Sequence, residues 1–351
     1  MEKKLLALYS ASHFWVDLSC AVLVFRMLSG TPDFMLCLLL YNFCAFALQM
    51  PFGLLADRLD RNGLIAALGC GIAALACLVP VPVISAITAG TGNALFHLGG
   101  GIDVLNQSRD RAWALGVFVS PGALGLFLGT LWGKAAAPGI WIVPAVLVLL
   151  AVITIILYRH IFPHFHSGNA PVDLTAPDGY AKLLPLFLVV VLRSYMGMNQ
   201  TFAWKSGGQW ALILTLALVL GKTAGGFAMD QAGPRQASAW SLGLAAAFYL
   251  ASALPVPGTL AVFLFNMTMP ITLWAAAKSV PGAKGFTFGL LTFALFLGCL
   301  PSFLGWPNLL TGPIGYAAIA AVSLVLLWVP LRKEGRHAGN SGCIPAADID
   351  I

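Results

Sequence analysis

The sequence predicts an all-α integral membrane protein of twelve transmembrane helices, arranged as two six-helix pseudo-repeats with both termini in the cytoplasm. Three observations carry the prediction. The chain is 59% hydrophobic and only 9% charged over 351 residues, with a mean hydropathy of +0.88. A soluble domain carries about 25% charged residues, so charges this sparse do not cover a water-facing surface. Apolar runs of about 20 residues, the length that crosses a bilayer core as a helix, recur from end to end, and Lys and Arg sort to one side of them.

Taken in order, the first span lies near 5–29. It follows a basic start, MEKK, like that of a signal peptide, but it continues past residue 20, contains His13 and Asp17, and has no small-residue cleavage site; it reads as an uncleaved span. The next five lie near 34–55, 63–79 (short, ended by Pro80 and Pro82), 82–106, 112–132 and 139–158. Residues 1–158 form the first half, and 159–181, the longest internal connection, reads as a cytoplasmic linker. The second half, 182–333, holds spans near 182–203, 208–229, 237–255, 258–277, 285–305 and 312–331. The polar tail 334–351 is expected to be disordered. With the N-terminus inside, Lys134 and Lys205 are the basic residues of outer loops, and Arg26 and Arg193 lie within spans; the rest of the 19 Lys and Arg, Lys222 among them, fall at the inner side. The net charge of +6 therefore reports topology and not a nucleic-acid partner. The seven cysteines contain no CxxC pair and read as packing residues.

One stretch gathers charge against this background. GLLADRLDR, residues 53–61, lies between spans two and three, and a weaker echo, GGFAMDQAGPR, residues 225–235, lies between spans eight and nine. Gly53 and Asp57 recur as Gly226 and Asp230 at a single offset of about half the chain. Parallel six-helix repeats joined by a central loop are one transporter plan. Gly53 lets helices approach closely. Asp57 can accept from backbone N–H groups at a helix N-terminus, and Arg58 and Arg61 can pair with adjoining helices.

This loop resembles the signature of the major facilitator superfamily: a Gly, an Asp four residues on, then basic residues. Gly53, Asp57, Arg58 and Arg61 match, Asp60 stands where the family's second Gly is usual, and the echo keeps Gly226, Asp230, Gly233 and Arg235. SHFWVD, FHLGGG, FVSPGALGLFLG, RSYMG and PGAKGFTFGL look similar to the fosmidomycin-resistance branch, which exports small molecules in exchange for protons. The resemblance implies alternating access of the two halves, with Gly53, Asp57, Arg58, Arg61, Gly226, Asp230 and Arg235 as a conformational switch. It also implies that spans one, four, seven and ten line a central cavity.

An ionisable side chain at the bilayer centre costs at least about 2.5 kcal/mol. Asp17, His97 and Arg193 lie near the middle of spans one, four and seven. Asp17 and His97 are expected to bind and release the coupling proton, with His13, one turn from Asp17, sharing its face. Arg193 is expected to hold substrate or to neutralise Asp17, with Asn266 and Trp274 of span ten, and Asn42 and Gln49 of span two, as further substrate contacts. Gly99, Gly100 and Gly101 either unwind span four or pack it closely. Pro121 and Gly122 are expected to make span five bendable. Asp103 is expected to pair with Arg109 or Arg111.

His160, His164 and His166 lack the further ligands of a metal site, and no nucleotide fingerprint, P-loop or catalytic set is present. The expectation is therefore a non-enzyme with neither cofactor nor metal: a monomeric, multi-pass protein of the cytoplasmic (inner) membrane. Its partners would be lipid and a small-molecule substrate, with H⁺ as coupling ion. Efflux by proton antiport is the expected activity; the alternatives are uptake by proton symport and a transport-inactive sensor or assembly protein.

Overall fold

The computed structural model describes residues 3–108, 110–136, 138–161, 169–172 and 177–331. The linker histidines His164 and His166, Arg109 and the tail 334–351 lie outside the described residues. The α-helices are α1 (Lys3–Val22), α2 (Phe34–Asn42), α3 (Gln49–Leu59), α4 (Asn62–Ala76), α5 (Pro82–Ser108), α6 (Trp113–Val119), α7 (Pro121–Ala135) and α8 (Ile142–Ile156). After the linker come α9 (Pro177–Asn199), α10 (Gly208–Ala232), α11 (Pro234–Leu250), α12 (Pro255–Asn266), α13 (Thr268–Ser279), α14 (Lys284–Phe303) and α15 (Gly312–Trp328). Each apolar run marked in the sequence holds one of these helices or two in line. Wide, π-type turns extend α1 over Leu23–Leu28 and join α2 to α3 over Phe43–Ala47. Among the described residues eight rods, Lys3–Leu28 and Pro255–Ser279 among them, are long and apolar enough to cross a membrane; Asn62–Ala76 and Gly312–Trp328 are shorter apolar helices. Large apolar side chains such as Val256 and Ile314 stay exposed on the outside of the bundle, where a soluble protein would carry charge.

Local chemistry sets the helix ends. Proline opens α7, α11, α12 and α15, where its missing N–H costs nothing. After α3 the chain turns through Asp60 at φ 49°, and after α10 through Gly233 at φ 83°. The two positions share the offset of the signature loops, 173 residues (233 − 60). Both need a left-handed backbone, which Gly adopts freely and Asp tolerates. That is the physical content of Asp60 standing in a glycine's place.

The two loops make matched joints between the first eight helices and the rest. Asp57, 2% exposed, accepts from the N–H of Gly285 at 2.7 Å and of Phe286 at 2.8 Å, at the N-terminus of α14. Asp230 accepts from the N–H of Ala112 at 2.6 Å and of Trp113 at 3.3 Å, at the N-terminus of α6. The unsatisfied N–H groups and dipole of a helix start favour an anion there. The receiving residues obey the same offset: Ala112 and Gly285, and Trp113 and Phe286, are also 173 apart (285 − 112). Backbones touch at both crossings. A Cβ on Gly53 would lie 2.1 Å from the Gly285 oxygen, and one on Gly226 would lie 2.5 Å from the Ala112 oxygen. Lys278 to Asp110, at 2.5 Å, and Lys284 to Asn106, at 2.5 Å, join the halves at this same end. Arg58 and Arg61 are exposed. Among the described residues neither is in an ion pair, so the cross-helix pairing expected of them is made instead by Asp57 with backbone N–H groups. Arg235 stacks its guanidinium over Trp328 at 3.6 Å.

Helix α5 runs unbroken through Gly99, Gly100 and Gly101. An added Cβ would meet the Asn62 oxygen at 2.4 Å from Gly99 and the Phe288 ring at 2.3 Å from Gly101. These glycines serve close packing, and the expected unwinding is absent. Asp103 accepts from Tyr9 Oη at 2.7 Å and Asn62 Nδ2 at 2.9 Å; among the described residues it makes no ion pair with Arg111, and Arg109 lies outside them.

Two outcomes follow from the joints. Asp57→Asn keeps the shape but removes the charge, so amide exchange at Gly285 and Phe286 should rise roughly five- to thirtyfold, for about 1–2 kcal/mol of lost helix-terminus stabilisation. Unchanged protection, read by hydrogen-exchange mass spectrometry, would show that the joint does not depend on the charge. Gly53→Ala should lower stability by about 1–3 kcal/mol through overpacking, seen as a lower Tm in detergent. Gly243→Ala, whose Cβ meets nothing within 4 Å, should leave Tm in place.

Candidate functional site

A cavity of about 290 Å³ lies at the centre of the bundle, lined by residues that include His13, Asp17, Gln49, His97, Arg193, Lys222 and Thr272. Its polar groups, Thr292 of α14 included, come from seven helices, and its walls are largely apolar, among them Phe118, Phe288, Leu291 and Leu295.

One side of the cavity holds three ionisable groups. On α1, His13 and Asp17 are one turn apart, with His13 Nε2 at 3.3 Å from Asp17 Oδ2. From α5, His97 Nε2 approaches Asp17 Oδ1 at 3.7 Å. Asn93, one turn before His97, donates from Nδ2 to Asp17 Oδ1 at 3.1 Å. Each ring is fixed from behind. His13 Nδ1 lies 2.7 Å from the Phe118 carbonyl, and His97 Nδ1 lies 2.9 Å from the Asn93 carbonyl. A carbonyl only accepts, so Nδ1 carries the hydrogen in both rings. When the rings are neutral, both Nε2 lone pairs therefore point at the carboxylate. Acceptor faces acceptor across each gap, and a single added proton turns repulsion into a charge-assisted hydrogen bond. His13 and His97 stand edge to face, with centroids 4.4 Å apart, and the Phe96 and Phe118 rings flank them. The ligand atoms of the three residues lie within 4.8 Å of one another, as close as a metal would need.

The break between α6 and α7 builds this side. The last carbonyls of a helix lack internal partners, and here Phe118 gives its carbonyl to His13 while Val119 accepts from Lys222 Nζ at 3.2 Å. Ser120 Oγ contacts the Val219 carbonyl at 3.0 Å and Thr223 Oγ1 at 2.8 Å on α10. Gly122 leaves room for the triad: a Cβ there would be 2.1 Å from His13 Nε2 and 2.4 Å from Asp17 Oδ2. Its role in the structure is space as well as the bend expected beside Pro121.

The cavity also carries a second cation besides Lys222. Arg193 on α9, 8% exposed, donates from Nη2 to Thr268 Oγ1 at 2.7 Å and Thr272 Oγ1 at 3.3 Å. Its Nε is buried without a partner. Arg193 thus reaches the threonines of α13 and not Asp17. It also lines a second cavity, of about 300 Å³, with Gln200, Lys205 and Asn266.

The remaining sequence candidates separate. Gln49 is fully buried on the central cavity, with Nε2 donating to the Ala45 carbonyl at 2.6 Å. Asn266 lines the second cavity and donates to the Val262 carbonyl. Asn42 donates to the Leu38 carbonyl within its own helix and lines neither cavity. Trp274 lines a different cavity, of about 410 Å³, with Asn106, Asp110 and Lys284 at the Asp57 end. It is removed from the central site by its direction on α13: Thr272, two residues earlier and about 200° around the helix, lines the central cavity, and Trp274 does not. Lys222 and Asn93 were not singled out in the sequence. Lys222 had been counted among inner-side charges; the signal that locates it is the offset, which pairs it with Gln49 (222 − 49 = 173).

No protein-family model and no curated protein matches the chain. Solved structures match in fold. The crystal structure of the major facilitator superfamily transporter FucP in the outward conformation is 12% identical, with a TM-score of 0.63 over 93% of this chain and 99% of that one. The human organic anion transporter MFSD10 (TETRAN) is 15% identical, with a TM-score of 0.62 over 94% of this chain and 99% of that one. A bacterial homologue of the iron transporter ferroportin, in an outward-facing state, is 13% identical, with a TM-score of 0.62 over 93% and 97%. At such identities the likeness is one of architecture: the chain has the fold of major facilitator superfamily transporters.

Proposed function

We propose that this chain is a secondary carrier of a small solute, working by alternating access of residues 1–158 against 182–333, with a proton bound at Asp17, His13 and His97 as the coupling ion. The observation that supports it best is the triad: two fixed rings present Nε2 lone pairs to one carboxylate on a central cavity, an arrangement short of one proton. Asp57 and Asp230 serve as latches on the cytoplasmic side, and their joints are made in the conformer seen here. Two of the similar structures are outward-facing by their own titles, which agrees with closure at that end.

Two directions of coupling follow from the sequence. Export by exchange is what the likeness to the fosmidomycin-resistance branch implies, and it requires solute and proton to compete. In this cavity the proton site is built on α1 and α5, and the cations Arg193 and Lys222 stand on α9 and α10, so the two sets share no side chain. Separate sites favour joint loading, so co-transport with the proton is the reading we adopt. One of the similar structures is titled a fucose:proton symporter.

In proteoliposomes under a pH gradient, Asp17→Asn should lose gradient-driven accumulation by at least about tenfold while solute exchange without a gradient persists. A mutant that keeps its full pH-gradient dependence would remove Asp17 from the coupling path. Gly122→Ala should give the same phenotype more weakly, since a methyl group there displaces the His13 ring and the carboxylate; an unaltered pH profile would show that triad geometry is not limiting.

A further inference from the structure

Arg193 and Lys222 are cations without matching acids. Between residues 182 and 333 the sequence contains one acidic residue, Asp230, and it is committed to the N-terminus of α6 at the end of the bundle. Arg193 finds only hydroxyls, and its buried Nε finds nothing. Lys222 donates to one backbone carbonyl and has Asp17 as its nearest acid across the cavity, without an ion pair to it among the described residues. Asp17 is the one carboxylate among the residues lining this cavity, and it already faces Asn93, His13 and His97. The cavity therefore holds two cations against one anion with Asp17 ionised, and two against none with it protonated. A low-dielectric space with surplus positive charge draws in a negative ligand. Charges inside a membrane bundle that lack an internal partner mark the path of what is carried.

We propose that the carried solute is a small organic anion, its acidic group held between Arg193 and Lys222 and its apolar body against Phe288, Leu291 and Leu295. This rests on the carrier reading above and adds the substrate's charge. It also fixes the sign of coupling. Titratable or charged groups around Asp17 are His13 and Cys20 on its own helix, Tyr41 on α2, His97 on α5, Arg193 on α9 and Lys222 on α10. A proton added to the triad makes the cavity more positive, so it tightens the anion, and by reciprocity the anion tightens the proton. The two load together.

The test reads cavity charge without knowing the solute. Ala123, which lines the cavity, is replaced by Cys in full-length protein carrying Cys343→Ser, in lipid nanodiscs. Labelling rates are compared for 2-sulfonatoethyl methanethiosulfonate and its 2-(trimethylammonium)ethyl counterpart, each normalised to a free thiol. The ratio cancels the thiol's own ionisation. The anionic reagent should be favoured on the order of tenfold. Arg193→Gln and Lys222→Gln should each reduce the preference severalfold, and Arg193→Lys should restore most of it, which separates charge from misfolding. Acidification from about pH 8 to about pH 6 should raise the ratio in the parent and not in Asp17→Asn. Equal or faster labelling by the cationic reagent overturns the anion assignment and leaves the Asp17 flux experiment unaffected. An anionic preference that is flat with pH in the parent overturns the joint loading and counts against the triad as the coupling site, while the anion assignment stands.

Discussion

Inside a bilayer every polar group must find its partner within the protein, because the lipid offers none, and the rest of this structure follows from how that rule is met. The acids that tie helices together show the pattern, three of them buried or half-buried and Asp230 exposed at the end of the bundle. Asp57 and Asp230 each take two backbone N–H groups from a helix start. Asp103 takes a phenol and an amide. These three are saturated by donors that are always present. Asp17 has one amide donor, and its other neighbours are ring nitrogens that donate only when protonated. The same accounting that makes the first three structural makes the fourth variable. A carrier needs one such group on its cavity and cannot tolerate many, since each acid left short of donors costs stability in every state.

The cations follow a matching asymmetry. Gln49 and Lys222 occupy positions related by the offset that relates the signature loops, and both line the cavity. One half places a neutral amide there and the other a charge. In the proposed mechanism the first half holds the proton site, and the second holds the groups that have no acid of their own. If the halves move as bodies, the site is complete only when they close on each other. Occupancy and conformation are then linked without any further device.

Much of this was legible in the sequence. The apolar runs located the helices because lipid imposes one length and one composition on them. The Gly-to-Asp spacing located the joints because a close crossing beside a helix start has few chemical solutions. Asp17, His97 and Arg193 stood out because charge at mid-span is rare. What was not legible depended on tertiary neighbours. Lys222 sits far enough toward the inner end of its run to count as a topology residue, and only its contact with Val119 places it on the cavity. Trp274 shares α13 with Thr272, but two residues turn it about 200° around the helix, so the two line different cavities. Three glycines in a row read as a weak point by propensity, yet neighbouring backbone and the Phe288 ring fill the space beside them and the helix continues. Gly122 read as part of a bend, and it also supplies volume beside the triad, which a sequence does not display.

Helix α6 ties these parts into one mechanism. It spans Trp113–Val119, only seven residues, or about 10 Å at 1.5 Å per residue. Its first N–H groups hold the Asp230 carboxylate, and its last carbonyls hold His13 and Lys222. One short rigid body thus carries a latch of the closed end at its start and touches both the proton site and a cation of the cavity at its finish. Coupling between distant sites needs an element with two arrangements that both sites bias. If Asp230 releases α6, the Phe118 carbonyl moves with it, and the fixed tautomer of His13 loses its anchor. If a proton draws His13 toward Asp17, the pull is felt at that same carbonyl. The break at Ser120 and Pro121 lets this happen without dragging α7, whose Gly122 and Gly125 stay packed against the triad and the Phe14 backbone. A continuous helix here would spread the strain over its whole length; the interruption confines it to the segment that joins latch and site.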